Sequence, residues 1–307
     1  MIASKIGGNL GNHMWHYSIC RVVGETLNLD WGVDKIPIQG SDYYNGANQM
    51  YFMNVDFGKP IENIENYYFD YNSKSFNEAR RFHRYNGQDY WFNEYDPSVF
   101  NIKDNTLIQI ISQSEDFLID KKPEIIKWFE INETYRQKYN EILQEMDIVL
   151  DENLCVINFR GGEYKSVPNL ILRREYWRDS INHMLSINKD MKFLVITDDP
   201  QCASSFMPFN IRCIHVDIGF DFYVVNQAKY VILSNSSFGW WAGWLNTNSQ
   251  LTIAPKYWIA HNVSNGFWSL KDTYTRCFKH MDRDGKLFDY DECRTEAEEF
   301  YRKNNLI

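Results

Sequence analysis

Two stretches of this 307-residue chain carry side chains whose types and spacing suit chemistry on a phosphorylated ligand. The first is Cys155-Val-Ile-Asn-Phe-Arg-Gly-Gly-Glu-Tyr164. A short apolar run ends at Phe159, so Arg160 falls at the C-terminal end of a strand. The planar fork of an arginine matches phosphate oxygens. Gly161 and Gly162 let the backbone turn sharply and approach a ligand closely. Glu163 can act as a general base or hold a sugar hydroxyl; a simple Arg160–Glu163 ion pair is the competing reading. The second stretch is Tyr230-Val-Ile-Leu-Ser-Asn-Ser-Ser-Phe-Gly-Trp-Trp-Ala-Gly-Trp-Leu245. A buried strand runs into a polar turn and then an apolar helix. Ser236 or Ser237 suits the N-cap, and the capped end presents backbone N–H groups and a positive dipole end to a diphosphate. Gly239 and Gly243 fit close packing of that helix on a sheet. A plain capped helix with buried tryptophans explains the same residues.

Two further segments end in polar groups. In Phe193-Leu-Val-Ile-Thr-Asp-Asp-Pro200, Asp199 reads as a helix N-cap with Pro200 in the first position. Asp198 is then the freer carboxylate, able to bind a ribose, base or sugar hydroxyl. The opening turn Gly7-Gly8-Asn9-Leu10-Gly11-Asn12 departs from the dinucleotide-binding spacing, yet its small residues admit a ligand to the backbone. Asn12 is placed to cap the next helix. His13 and His16 share a face of that helix and are read as packing or substrate contacts. The triplets Asp282-Arg-Asp284 and Asp289-Tyr-Asp291 lie in a polar tail with a turn signal at Asp284-Gly285. They are not read as metal ligands.

The elements that must position these residues alternate in the second half. Apolar runs at Leu154–Phe159, Lys192–Thr197, Ile211–Val216, Tyr230–Ser234 and Leu251–Ala254 read as buried parallel strands. Helical candidates Arg174–Ser186, Pro200–Met207, Asp221–Ala228 and Phe238–Asn246 separate them. That alternation predicts a doubly wound α/β domain, whose ligands bind beyond the C-terminal strand ends. In the first half, helices are expected up to Leu27 and over Pro123–Met146. The aromatic middle, Tyr43–Tyr95, shows weak periodicity. The boundary is placed near 147–153. This gives a domain over 1–150, a second over 151–270, and a tail over 271–307 that is expected to pack on the first.

Composition narrows the function class. A formal net charge of -9 argues against non-specific affinity for nucleic acid or anionic membranes. A phosphate ligand then needs a local positive site. No apolar run is long enough for a membrane span, and the opening has no hydrophobic signal region. A cytoplasmic location is the expectation, with free thiols, since none of the 6 cysteines forms a Cys-x-x-Cys pair. The many aromatics suit sugar stacking as well as cores.

Taken together, the motifs resemble the family 11 glycosyltransferases, the α-1,2-fucosyltransferase-like enzymes. Gly7-Gly8-Asn9-Leu10-Gly11-Asn12-His13-Met14 is similar to that family's Gly-Gly-Leu-Gly-Asn-Gln-Met with an extra Asn9. Asn158-Phe-Arg-Gly-Gly-Glu-Tyr164 resembles His-x-Arg-Arg-Gly-Asp-Tyr. Thr197-Asp198-Asp199, Ser234-Asn-Ser-Ser-Phe-Gly-Trp-Trp241 and Ala254-Pro255-Lys256-Tyr257-Trp258 resemble the later motifs. The resemblance implies a GT-B-type fold of two Rossmann-type domains, the first on the acceptor side and the second binding the nucleotide sugar. It implies a metal-independent, inverting transferase with no cofactor, a GDP-sugar donor (GDP-fucose) and a glycan acceptor joined in α-1,2 linkage. By motif position it assigns the donor to Gly8, Asn9, Gly11, Asn12, Arg160, Gly161, Asp198, Asp199, Ser234, Asn235, Ser236, Ser237, Phe238 and Trp240. Arg160, Glu163 and Asn158 stand at the reacting centre. The chain departs from the motif at Asn158 (His in the family), Gly161 (the second Arg) and Glu163 (Asp). Those departures also fit a transferase for another GDP-sugar, or a non-catalytic carbohydrate-binding protein on a decayed transferase fold.

Overall fold

A computed structural model describes residues 1–34, 48–62, 64–68, 81–85, 88–92, 95–108, 113–167, 169–262 and 271–304. The chain forms two compact units, one spanning Met1–Asn132 and the other starting at Glu133.

The first unit is built on a parallel sheet in the order β2-β1-β6-β3. Its strands are β1 (Ile2–Lys5), β2 (Trp31–Asp34), β3 (Asn66–Tyr68) and β6 (Thr106–Ile108). A separate antiparallel hairpin pairs β4 (Arg81–Tyr85) with β5 (Gln88–Phe92); the rest of the stretch from 69 to 94 lies outside the described residues. After β1 the glycine-rich turn leads into helix α1 (Leu10–Leu27). The residue flanking the helix start is Asn9, so Asn12 lies inside the helix and does not cap it. The side-chain oxygen of Gln49 instead accepts from the Leu10 N–H at 2.6 Å. The helix expected over Pro123–Met146 is two helices, α2 (Lys122–Trp128) and α3 (Glu133–Glu145). Between them the backbone pairs elsewhere: the Asn54 N–H donates to the Glu130 carbonyl at 3.0 Å and the Asn132 N–H to the Phe52 carbonyl at 2.9 Å.

The second unit has a seven-stranded sheet in the order β13-β12-β11-β10-β7-β8-β9. Its parallel strands are β7 (Leu154–Phe159), β8 (Lys192–Thr197), β9 (Arg212–Ile214), β10 (Tyr230–Ile232), β11 (Leu251–Pro255) and β12 (Lys279–Met281). The short β13 (Leu287–Phe288) closes one edge antiparallel to β12. Both faces are covered, which is why β7 and β8 read as continuous apolar runs. Cys155, Ile157 and Phe159 of β7 pack with Trp177, Ile181 and Met184 of α4 (Arg174–Ile187). That helix buries Tyr176, Trp177, Ser180, Ile181 and Met184, a stripe at the helical period. Beyond β8 comes α5 (Pro200–Phe206), beyond β9 comes α6 (Ile218–Gln227), and beyond β10 comes α7 (Ser237–Trp244). The fold is therefore the expected α/β class with mainly parallel sheets in both halves.

Two expectations about boundaries change. The division falls before α3 and not at 147–153, because α3 packs on α6: Tyr139 meets Phe220 and Tyr223 with ring centroids 6.0 and 5.7 Å apart. The tail belongs to the second unit. It supplies β12, β13 and α8 (Tyr290–Lys303), which buries Cys293, Ala297 and Tyr301. The ammonium of Lys256, only 1% exposed, lies 2.5 Å from Glu296 of α8 and 3.1 Å from the Phe288 ring centroid. The Asp-x-Asp triplets are spent on local structure. Asp289 forms a capping box with Glu292 at the start of α8, and Asp282 accepts from the Asp284 and Lys286 N–H groups across the turn.

Candidate active site

The carboxyl ends of β7, β8 and β10 lie on one edge of the second sheet, since the three run parallel and in register. Arg160 leaves β7 there and meets Asp198, which leaves β8: Nη1 to Oδ2 is 2.5 Å. Its Nη2 reaches Glu163 Oε1 at 2.9 Å. The other oxygen of Asp198 accepts from the Gly161 N–H at 2.8 Å. Asp198 is thus engaged twice and is not the free carboxylate expected. Asp199 caps α5 as expected, accepting from the Cys202 N–H at 3.0 Å. Its second oxygen holds Lys165 Nζ at 2.6 Å.

The two glycines after Arg160 are required by close approach. A Cβ on Gly161 would stand 2.9 Å from the Asp199 Cβ, and one on Gly162 would stand 2.3 Å from Asp198 Oδ2. Real Cβ atoms do not approach that closely, so the loop lies directly on the two aspartates. It then winds into a 3-10 turn over Glu163–Ser166.

The serine-rich turn adjoins the same loop. The Tyr164 hydroxyl donates to the Asn235 carbonyl at 3.4 Å, and the Arg160 guanidinium carbon lies 5.6 Å from the Tyr164 ring centroid. Ser236 occupies the N-cap of α7 but makes no side-chain cap bond. The first-turn N–H groups of a helix have no carbonyl partner inside it. They and the positive end of the helix dipole face the Arg160 edge of the sheet.

Several sequence-assigned residues prove structural. Asn158 is 4% exposed, its Oδ1 accepts from the Ser234 hydroxyl at 3.0 Å, and its carbonyl accepts from the Ser234 N–H at 2.9 Å. It joins β7 to the turn and lies buried behind the Arg160 loop's edge of the sheet. Trp240 is also buried; its ring stacks on Trp244 at 5.2 Å and its Nε1–H donates to Thr275 at 2.8 Å. It is core, because α7 lies flat on the sheet through Gly239 and Gly243. A Cβ on Gly239 would meet Asn158 Oδ1 at 2.3 Å. Asn235, 2% exposed, donates to the Leu170 carbonyl at 2.8 Å, while its Oδ1 has no partner among the described residues. Ser237 and Phe238 are half-buried, and Phe238 sets its ring edge-on to Phe222 at 5.7 Å.

Gly8, Asn9, Gly11 and Asn12 belong to the first unit. Gly8 has φ of +80°, and a Cβ there would meet the Asn12 side chain at 2.3 Å. His13 and His16 are buried in α1, and burial lowers both to a pKa of about 4. They are neutral packing groups at pH 7.

Two features were not singled out from the sequence. One is Lys165, hidden because Asp199 is already explained as a cap. The other is the pair past β9, where His215 Nδ1 lies 2.6 Å from Asp221 Oδ2. The bond to Asp221 raises the His215 pKa, and burial raises that of Asp221. Only their position beyond a strand's carboxyl end pointed to them.

A parallel-sheet α/β unit with an arginine, a glycine pair and a helix N-terminus at its carboxyl edge carries these groups where such sheets bind their ligands. The family model for glycosyl transferase family 11 matches residues 73–275. The chain belongs to that family. It is similar to the O-antigen biosynthesis glycosyltransferase WbnK of Escherichia coli, 25% identical over 153 residues, covering 45% of this chain and 50% of that protein. It is also similar to an alpha-1,2-colitosyltransferase of Escherichia coli, 28% identical over 170 residues, covering 47% and 58%. The matched part spans about half the length of these relatives. Among solved structures, the fucosyltransferase NodZ from Bradyrhizobium overlays with a TM-score of 0.45 at 12% identity, covering 78% of this chain and 90% of that one. POFUT1 in complex with GDP-fucose overlays at 0.43 and 9% identity, covering 82% and 96%. No helix among the described residues is long and apolar enough to cross a membrane.

Proposed function

We propose that the protein transfers a 6-deoxyhexose, fucose in the first instance, from a GDP-sugar to a hydroxyl of a glycan acceptor with inversion. The observation that carries the reading is Arg160, held at the carboxyl edge of β7 beside the N-terminal end of α7. Membership of the family supports the transfer, and the relative named alpha-1,2-colitosyltransferase supports an α-1,2 linkage.

In this reading the acceptor oxygen attacks the anomeric carbon as the bond to the diphosphate oxygen breaks. The proton passes to a carboxylate, for which Glu163 is the candidate. One of its oxygens is held by Arg160, and the other accepts no hydrogen bond among the described residues. Negative charge grows on the leaving diphosphate, where the Arg160 fork and the first-turn N–H groups of α7 stabilise it. Asn158 and Trp240 hold the frame and make no contact with the reaction. The test is transfer itself. GDP should be released from GDP-fucose only when a glycan acceptor is present, with or without EDTA. Glycan binding without release from any GDP-sugar would favour a non-catalytic binding protein.

A further inference from the structure

The loop that carries Arg160 has a charge problem. Arg160 is shared between Asp198 and Glu163, and Lys165 is paired with Asp199. These two cations and three carboxylates sum to one negative charge, at a place where a diphosphate would add more. A diphosphate binds only if cations turn from these carboxylates to it.

Positions 161 and 162 cannot supply another cation. Both are glycines, and a Cβ on Gly161 would stand 2.9 Å from the Asp199 Cβ, so a side chain there would have to displace that residue. Between Phe159 and Ser166 the chain has one cation besides Arg160, namely Lys165. Its N–H donates to the Gly161 carbonyl at 2.9 Å, so the 3-10 turn fixes its backbone against the glycine pair. Its side chain is 57% exposed, against 17% for Asp199, so a ligand can reach the ammonium while the carboxylate stays in the wall. Asp199 is also tied to α5 through its other oxygen and cannot follow.

We infer that Lys165 is the second diphosphate-binding cation of the donor site, parked on Asp199 until the nucleotide arrives. This rests on the reading of the site as one for a GDP-sugar. The lysine does the work that a cation at position 161 would do if that position were open. On donor binding its ammonium exchanges the Asp199 oxygen for a phosphate oxygen, and no covalent bond changes. A lysine is suited to this exchange, because its ammonium is a compact charge on a flexible stem.

The test compares nucleotide affinities by calorimetry for the wild type, Lys165→Met, Lys165→Arg and Asp199→Asn, using GDP and uncharged guanosine as probes. Asparagine is as good an N-cap as aspartate, so Asp199→Asn keeps α5 capped while removing the competing charge. Lys165→Met should weaken GDP about tenfold, the scale of one charge-assisted hydrogen bond, and leave guanosine unchanged. Lys165→Arg should restore most of the loss, and Asp199→Asn should bind GDP at least as well as the wild type. If Lys165 merely braced Asp199, Lys165→Met and Asp199→Asn would each shift GDP and guanosine together, which overturns the inference. Equal GDP affinity in the wild type and Lys165→Met overturns it too, and leaves the donor reading standing. A wild type that binds no GDP removes that reading and the inference with it.

Discussion

At the scale of single residues, the site turns on Arg160 and what holds it. Its guanidinium is pre-set by Asp198 and Glu163, so little side-chain freedom remains to be lost when a diphosphate takes their place. Arg160→Ala should cost about two to three powers of ten in turnover, the usual cost of removing one such donor, with the thermal unfolding midpoint nearly unchanged. Turnover near that of the wild type would exclude the assigned role. Arg160, Gly161, Glu163 and Asp199 were legible in the sequence, because a strand end followed by small and charged residues has few structural meanings. The burial of Asn158 and Trp240 was not legible, for one reason. Whether a polar or aromatic side chain near a strand end faces ligand or core depends on the neighbouring strand and helix. The Asn158–Ser234 bond joins residues far apart in sequence, and no local pattern reports it.

At the scale of elements, the close seat of α7 on the sheet aligns its N-terminus with the Arg160 edge. That seat depends on Gly239, where a Cβ would press on Asn158 Oδ1 at 2.3 Å. Gly239→Ala should destabilise the protein by about 1–3 kcal/mol, the cost of overpacking a tight interface, measured by urea unfolding. It should also weaken nucleotide binding by tilting the helix; unchanged stability and binding would mean that α7 is not held this way. The strands β7, β8 and β11 and the helices α1, α4 and α5 were legible within a residue or two, because apolar runs and caps are local signals. The break between α2 and α3 was not, since it comes from pairing with residues 52–54. The tail's strands were missed because they are short and gain their order from the edge of an existing sheet.

At the scale of the whole molecule, burial of neutral histidines sets the response to acid. Burial holds His13, His16 and His280 at about 4 and His261 at about 3, against an ordinary value of 6.5. Between these values the unfolded chain binds protons that the folded chain refuses, so stability rises with pH there and is lost as pH falls from about 6.5 towards 4. Urea midpoints across that window should decrease steadily, and a flat profile would contradict the burial of these four rings. The division into two parallel-sheet units was legible from strand–helix alternation in the second half and from the motifs in the first. The extent of each unit was not, because helix α3 is assigned by its packing on α6 and not by its place in the sequence. The proposed transfer requires that the chain bind the diphosphate of a GDP-sugar at the Arg160 edge. The most direct measurement is the unfolding temperature of the wild type and Arg160→Ala with saturating GDP, UDP or no nucleotide, with and without EDTA. A ligand that binds the native state must raise that temperature by mass action. A rise with GDP is expected in the wild type, insensitive to EDTA and lost in Arg160→Ala; no rise with GDP, or the same rise in the variant, would rule out diphosphate binding at Arg160.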